Sequence, residues 1–466
     1  MNGKEAFERG KEFYEQEEYL KEIECLKKAL EDETFETPGD AHFNMGIAHG
    51  NLGEYEKAID CYNNAIETEN YATPGDAHFN MGVAYWNLKE YEKAIDSYNN
   101  AIGTKNYATS GDAWNNMGIA YGNLEKYENA IDCYNNAIGT ENYATPGDAH
   151  FNMGIAYGNL EKYENAIDCY NNAIRAENFG TPGDAWYNMG IAHGNLEKYE
   201  DAIDCYNKAI NDENFGTPEN AWNNMGTAHH NLKKYDKAIE CYKKAIRCNP
   251  EDAGVYSNLG EALYKLKKPV DAAGQFGEAI RINYELAEPH YYLGNILADE
   301  ECYEAAKKEY ETAVLKSESK NADYLNSLGY VLWNLGDSKT AKEKFKETIQ
   351  CDPAHIKAHR NLMLLKKISE MKYKLPTVLQ YGLIVAITTV IITAHFLFYN
   401  NILFGTEFVA LVVFLVGLLT AIILYPEYKH LKVGPSGIEL SRDTEFKPIE
   451  SKLAELMHHT GNSQQS

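Results

Sequence analysis

The chain has 466 residues and sets 44 Lys and Arg against 69 Asp and Glu, for a formal charge of −25. So acidic a surface argues against a nucleic-acid partner, because phosphate backbones demand a basic face. Nine Cys, none in a CxxC pair, exclude a disulfide scaffold, while a mean hydropathy of −0.50 leaves room for a short membrane anchor. Residues 1–16 are charged throughout with no apolar run, so reduced thiols in a cytosolic setting are expected.

Internal repetition dominates the chain. The segment Thr37-Pro-Gly-Asp-Ala-His-Phe-Asn-Met-Gly returns from Thr73, Thr109, Thr145, Thr181 and Thr217, in steps of 36 residues. Met225 is then followed by equivalents Leu259, Leu293 and Leu328 at steps of 34, 34 and 35. A weaker copy opens the chain, with Gly10 in the slot of Gly46, which makes ten units over residues 3–355. Each unit holds two helix-periodic patterns. In the fourth unit, Trp114, Met117, Ala120 and Leu124 mark the first, and Tyr127, Ala130, Tyr134 and Ala137 the second. Thr-Pro-Gly-Asp predicts a Thr N-cap, Pro at N1 and a capping-box-like Asp. Gly46, Gly82, Gly118, Gly154, Gly190 and Gly226 are expected to face Ala58, Ala94, Ala130, Ala166, Ala202 and Ala238, with Tyr62 and its equivalents in the seam to the next unit.

Ala-Trp-Asn-Asn-Met-Gly-Ile-Ala-Tyr-Gly-Asn-Leu, followed by Tyr127, Ala130, Tyr134 and Ala137, closely resembles the tetratricopeptide (TPR) repeat. The resemblance covers roughly three quarters of the chain and implies an all-α, right-handed superhelical solenoid whose first helices line a concave groove. Unit one departs from it, with Arg9 and Glu22 where Met or Leu and Ala stand later, and reads as a polar cap. Residues 356–374 read as a closing helix that continues the apolar face through Leu362 and Leu365.

Residues 375–406 then contain no Asp, Glu, Lys or Arg, and after Glu407 none recurs until Glu427. Residues 379–399 and 408–425 each approach the roughly 20 residues that cross a bilayer, so a two-span hairpin in the cell membrane is expected. Lys366, Lys367, Lys372 and Lys374 precede it and Lys429 and Lys432 follow, which places both ends of the chain on the cytoplasmic side. In the tail, 426–466, residues 431–440 suggest a short hairpin around Gly434-Pro435.

Chemistry is sparse. The ladder Cys25, Cys61, Cys133, Cys169, Cys205 and Cys241 spaces its thiols a whole unit or more apart, which is no tetrahedral metal set. His42, His78 and His150 share a slot with Trp114, Trp186 and Trp222 and so read as packing rings. There is no Walker loop, GxSxG or HExxH, and the sequence predicts no enzyme, no metal and no cofactor.

The expected site is a stripe along the first helices. Asp76, Phe79, Val83, Trp86 and Asn87 share one helical face. The stripe reads Phe43, Phe79, Asn115, Phe151 and Tyr187; then Ile47, Val83, Ile119, Ile155 and Ile191; then Asn51, Asn87, Asn123, Asn159 and Asn195. Gly50, Gly122, Gly158 and Gly194 keep its floor open, with Trp86 the exception. The stripe has no Lys or Arg to clamp an acidic tail. An extended, partly apolar, neutral-to-basic protein segment is the expected partner, with lipid met through the two spans. The competing expectation is a structural or assembly subunit of a membrane complex, its repeats serving as a spacer.

Overall fold

In the computed structural model, the residues described are 2–105, 107–141, 143–177, 179–317 and 321–367, five single residues between 385 and 396, and the backbone of 432–434 and 437–439. They form two compact units, Met1–Glu251 and Asp252–Ser466.

The first unit holds seven helix pairs: α1 (Gly3–Glu15) with α2 (Tyr19–Leu30), α3 (Pro38–Asn51) with α4 (Tyr55–Glu67), α5 (Pro74–Asn87) with α6 (Tyr91–Gly103), α7 (Ser110–Asn123) with α8 (Tyr127–Ile138), α9 (Pro146–Asn159) with α10 (Tyr163–Arg175), α11 (Pro182–Asn195) with α12 (Tyr199–Ile210), and α13 (Pro218–Asn231) with α14 (Tyr235–Cys248). The second holds α15 (Ala253–Lys265) with α16 (Pro269–Ile282), α17 (Ala287–Asp299) with α18 (Tyr303–Lys316), and α19 (Ala322–Asn334) with α20 (Ser338–Cys351). Within each unit, a helix packs on its neighbours in the chain, and consecutive first helices also meet: α3 with α5, α5 with α7, and α15 with α17. Among the described residues, second helices make no comparable approach, so each stack curves with its first helices inside.

The units of sequence set this geometry through size. Ala58, Ala94, Ala130, Ala166, Ala202 and Ala238 are all fully buried. The glycine ladder answers a different neighbour from the one the sequence suggested. A Cβ on Gly118 would stand 2.6 Å from Cε1 of Tyr134, and one on Gly82 2.6 Å from that of Tyr98. The ring of the second helix therefore lies flat on the first helix of its own pair, and only glycine leaves room for it. Cores then run from pair to pair; one gathers Ala130, Tyr134, Ala137, Ala149, Met153 and Cys169.

The helix starts also correct the sequence reading. Thr37, Thr73, Thr145, Thr181 and Thr217 stand at N-cap positions with Pro just inside, yet none of their side chains caps the helix. Thr73 and Thr145 donate instead to the hydroxyls of Tyr71 and Tyr143, at 3.0 and 3.1 Å. A full capping box is found elsewhere, at Asn2 and Glu5 of α1. Of the two departures of unit one, Arg9 is exposed and Glu22 is only 2% exposed.

Residues 356–367 are helical, and Leu365 joins the core of the last pair with Leu362 packed against it. The chain adds two short strands to this helical fold, β1 (Lys432–Gly434) and β2 (Gly437–Glu439), antiparallel with Val433 opposite Ile438. That is the hairpin expected around Gly434-Pro435. Among the described residues, no helix is long and apolar enough to cross a membrane. The expected spans 379–399 and 408–425 lie outside the described residues, apart from Val385, Thr389, Ile392, Thr393 and Phe396.

Candidate interaction face of the first unit

The predicted stripe falls on the inner, first-helix face, and its three rows meet different fates. The aromatic row is half-buried in three-ring clusters. Phe79 lies 5.8 Å from Tyr98 and 6.4 Å from Tyr107, and Phe151 lies 5.9 Å from Tyr170 and 5.7 Å from Phe179. Phe43 repeats this with Tyr62 and Tyr71, and Tyr187 with Tyr206 and Phe215. One side of each ring is thus committed to packing. Asn115, in the same slot, is buried, and its Oδ1 has no hydrogen-bond partner.

The aliphatic row is more open: Ile47, Val83, Ile119 and Ile191 are half-buried and Ile155 is exposed. The Asn row is exposed at Asn51, Asn87, Asn123, Asn159 and Asn195. Asn87, Asn123 and Asn159 each donate one amide hydrogen to the carbonyl four residues back, on Val83, Ile119 and Ile155, at 2.9–3.0 Å. That bond fixes the side chain against its own helix and leaves Oδ1 to accept from outside.

The glycine row separates packing from surface. A Cβ on Gly122 would meet nothing within 4 Å, and on Gly50, Gly158 or Gly194 only a Tyr hydroxyl at 3.9 Å. Packing therefore does not require glycine at these positions. Trp86, in the same row, is 37% exposed. Beside it Val83 and Asn87 of α5, Tyr98 of α6, and Asn116 and Ile119 of α7 enclose a pocket of about 240 Å³. Four of its six walls belong to the predicted stripe. Tyr98 and Asn116 were missed, although Asn116 belongs to a second ladder with Asn44, Asn80, Asn152, Asn188 and Asn224 that the repeat makes visible. Asn116 donates to the Tyr98 hydroxyl and so braces the pocket wall.

Charge at the starts of the first helices is negative. Asp40, Asp76, Asp112, Asp148 and Asp184 sit in the first turns of α3, α5, α7, α9 and α11, helices that carry no Lys or Arg. Consecutive carboxylates share a loop ring between them: Asp40 and Asp76 act on Tyr71, and Asp76 and Asp112 on Tyr107. Burial pushes the carboxyl of Asp112 upward, and that of Asp184 likewise, with Asp212 adding to it.

The other ladders are structural. Burial pushes the thiols of Cys61, Cys169 and Cys241 up to about 11 and those of Cys133 and Cys205 to about 12, which keeps them protonated and inert. Burial lowers His42, His78 and His150, favouring the neutral ring. In the same slot, Trp186 and Trp222 lie under the ammonium groups of Lys208 and Lys244, at 4.2 and 3.9 Å.

Family models of the tetratricopeptide repeat match residues 39–69, 75–103, 111–139, 147–177, 183–211 and 219–252, then 241–281 and 291–356. Together they span more than half of the chain. No curated protein matches it.

Proposed function

This chain belongs to the tetratricopeptide repeat family, and from that premise we propose that it is a membrane-tethered scaffold. Its first unit holds an extended, partly apolar, neutral-to-basic protein segment on the first-helix face, and no catalytic step is part of this role. The pocket beside Trp86 carries the reading. At about 240 Å³ it falls below the roughly 300–1,000 Å³ of small-molecule sites and suits one large apolar side chain. Asn87 and Asn123 offer acceptors to the backbone of such a segment, and the Asp row favours positive charge on it.

Peptides selected from a random display library against the full chain in detergent should be rich in aromatic or aliphatic residues and poor in Asp and Glu. The pair Trp86→Ala and Asn87→Ala should weaken the best of them by about tenfold or more, the scale of an interface anchor. Acidic winners, or equal binding by the double variant with its melting unchanged, would remove this face from the function.

The tether is supported by the uncharged run of residues 375–406 and by what is described within it. Val385, Ile392 and Phe396 are helical and expose their apolar side chains. Thr389 and Thr393 turn their hydroxyls onto the carbonyls of Val385 and Thr389, at 2.5 Å, which satisfies both hydroxyls within the helix. Reporter fusions at Met1 and Ser466 should both read cytoplasmic, and an external signal from either would overturn the two-span hairpin.

A further inference from the structure

The second unit carries a different chemistry on its first helices. At the registers of Val83 and Trp86 in the first unit it has Glu261 and Tyr264 on α15, and at those of Phe79 and Asn87 it has Tyr291 and Asp299 on α17. The rings form a continuous wall. Tyr264 lies 5.9 Å from Tyr292, Tyr292 lies 5.4 Å from Tyr291, and Tyr291 stacks on Tyr324 of α19 at 4.6 Å and 28°. Phe276 backs Tyr292 with a parallel ring at 5.3 Å.

Carboxylates are woven into that wall. The Tyr264 hydroxyl donates to Asp299 Oδ2 at 2.9 Å, and the Tyr292 hydroxyl donates to Glu261. The exposed Glu288 acts on both Tyr292 and Tyr324. Lys265, 3.6 Å from Glu261 one turn away on α15, balances one of these three negative charges. Tyr264 and Tyr292 have their hydroxyls turned onto carboxylates, so ring and carboxylate stand together along the wall. Among the described residues these groups do not make a metal-binding set.

We propose that this face of the second unit binds the guanidinium of an arginine in a protein segment. A guanidinium stacks its plane on tyrosine rings while its fork of N–H donors meets the carboxylates, whereas an ammonium is a compact, strongly hydrated point charge. The site is built from α15, α17 and α19 and shares no residue with the Trp86 pocket, so either can fail without the other.

Calorimetric titration of the full chain in detergent with the peptide Gly-Arg-Gly-Arg-Gly and its Lys counterpart, at about 0.15 M salt, tests this. The Arg peptide should bind at least about fivefold tighter than the Lys peptide. Glu288→Gln alone, at an exposed position, should weaken it by about threefold, and Glu261→Gln with Glu288→Gln by about tenfold. Asp112→Asn with Asp148→Asn removes the same charge from the first unit and should leave it within about twofold. Equal losses from the two double variants would show general attraction to an acidic protein and overturn the site. So would equal affinity for the Lys peptide, or no binding of the Arg peptide.

Discussion

Gly118→Ala is expected to destabilise the repeat stack, and Gly122→Ala, one turn further along α7, to stabilise it. At Gly118 the new methyl would stand 2.6 Å from Tyr134 Cε1 and 2.9 Å from Cδ1, inside any tolerated contact. Tyr134 is buried in a core with Ala130 and Met153 and has nowhere to retreat. Overpacking of this kind costs about 1–3 kcal/mol, which outweighs the roughly 0.5–1 kcal/mol that alanine gains over glycine inside a helix. At Gly122 there is no neighbour within 4 Å, so only the helix-propensity gain remains. Chemical denaturation gives both signs, and hydrogen exchange gives the reach of the first. Each pair contacts only its neighbours, so protection should fall in α5–α10 and hold in α1, α2, α13 and α14. Opposite signs that fail to appear, or a loss spread evenly along the unit, would contradict the ring-on-glycine account.

These two glycines also show what the sequence could and could not convey. Gly118 recurs in every unit and Gly122 in four of the ten, and the two look alike in one dimension, yet only the one facing Tyr134 is demanded by packing. Repeat length and helix periodicity were enough for the helix pairs, because apolar residues at helical spacing leave no other way to bury a face. The N-caps were not legible: Thr before Pro has the composition of a cap, but a tyrosine two residues upstream draws the hydroxyl away at Thr73 and Thr145. The stripe was legible as a face. Its depth was not, since the commitment of Phe79 and Phe151 to ring clusters depends on loop residues Tyr107 and Phe179 that lie 28 positions away in each case. The pocket wall at Tyr98 and Asn116 was missed for the same reason: three helices from two pairs have to meet before it exists.

Glu22→Ala should be the most stabilising single change in the first pair, and more so at high pH. Glu22 stands in the register of Ala58, Ala94 and Ala130, all fully buried, and is itself 2% exposed with Oε2 lacking any partner. Desolvation pushes its carboxyl up to about 7 from the ordinary 4.5. An acid whose pKa is higher in the folded state binds its proton more tightly there, so its share of stability is complete below about 4.5 and is lost as pH rises through about 7. The pair α1 and α2 should accordingly loosen between pH 5 and pH 8. Alanine removes both the unpaired group and the titration, and burying a polar group without a partner costs about 1–3 kcal/mol. Glu22→Gln keeps the buried polar atoms but cannot ionise, so it should flatten the pH dependence without the full gain in stability. Hydrogen exchange of peptides from residues 3–30, corrected for intrinsic rates at each pH, separates the three proteins. The wild type should be the least protected at pH 8 and approach the glutamine variant at pH 5. Equal protection of wild type and Glu22→Ala at pH 8 would mean that the carboxylate has found water, and the buried-acid account would fall.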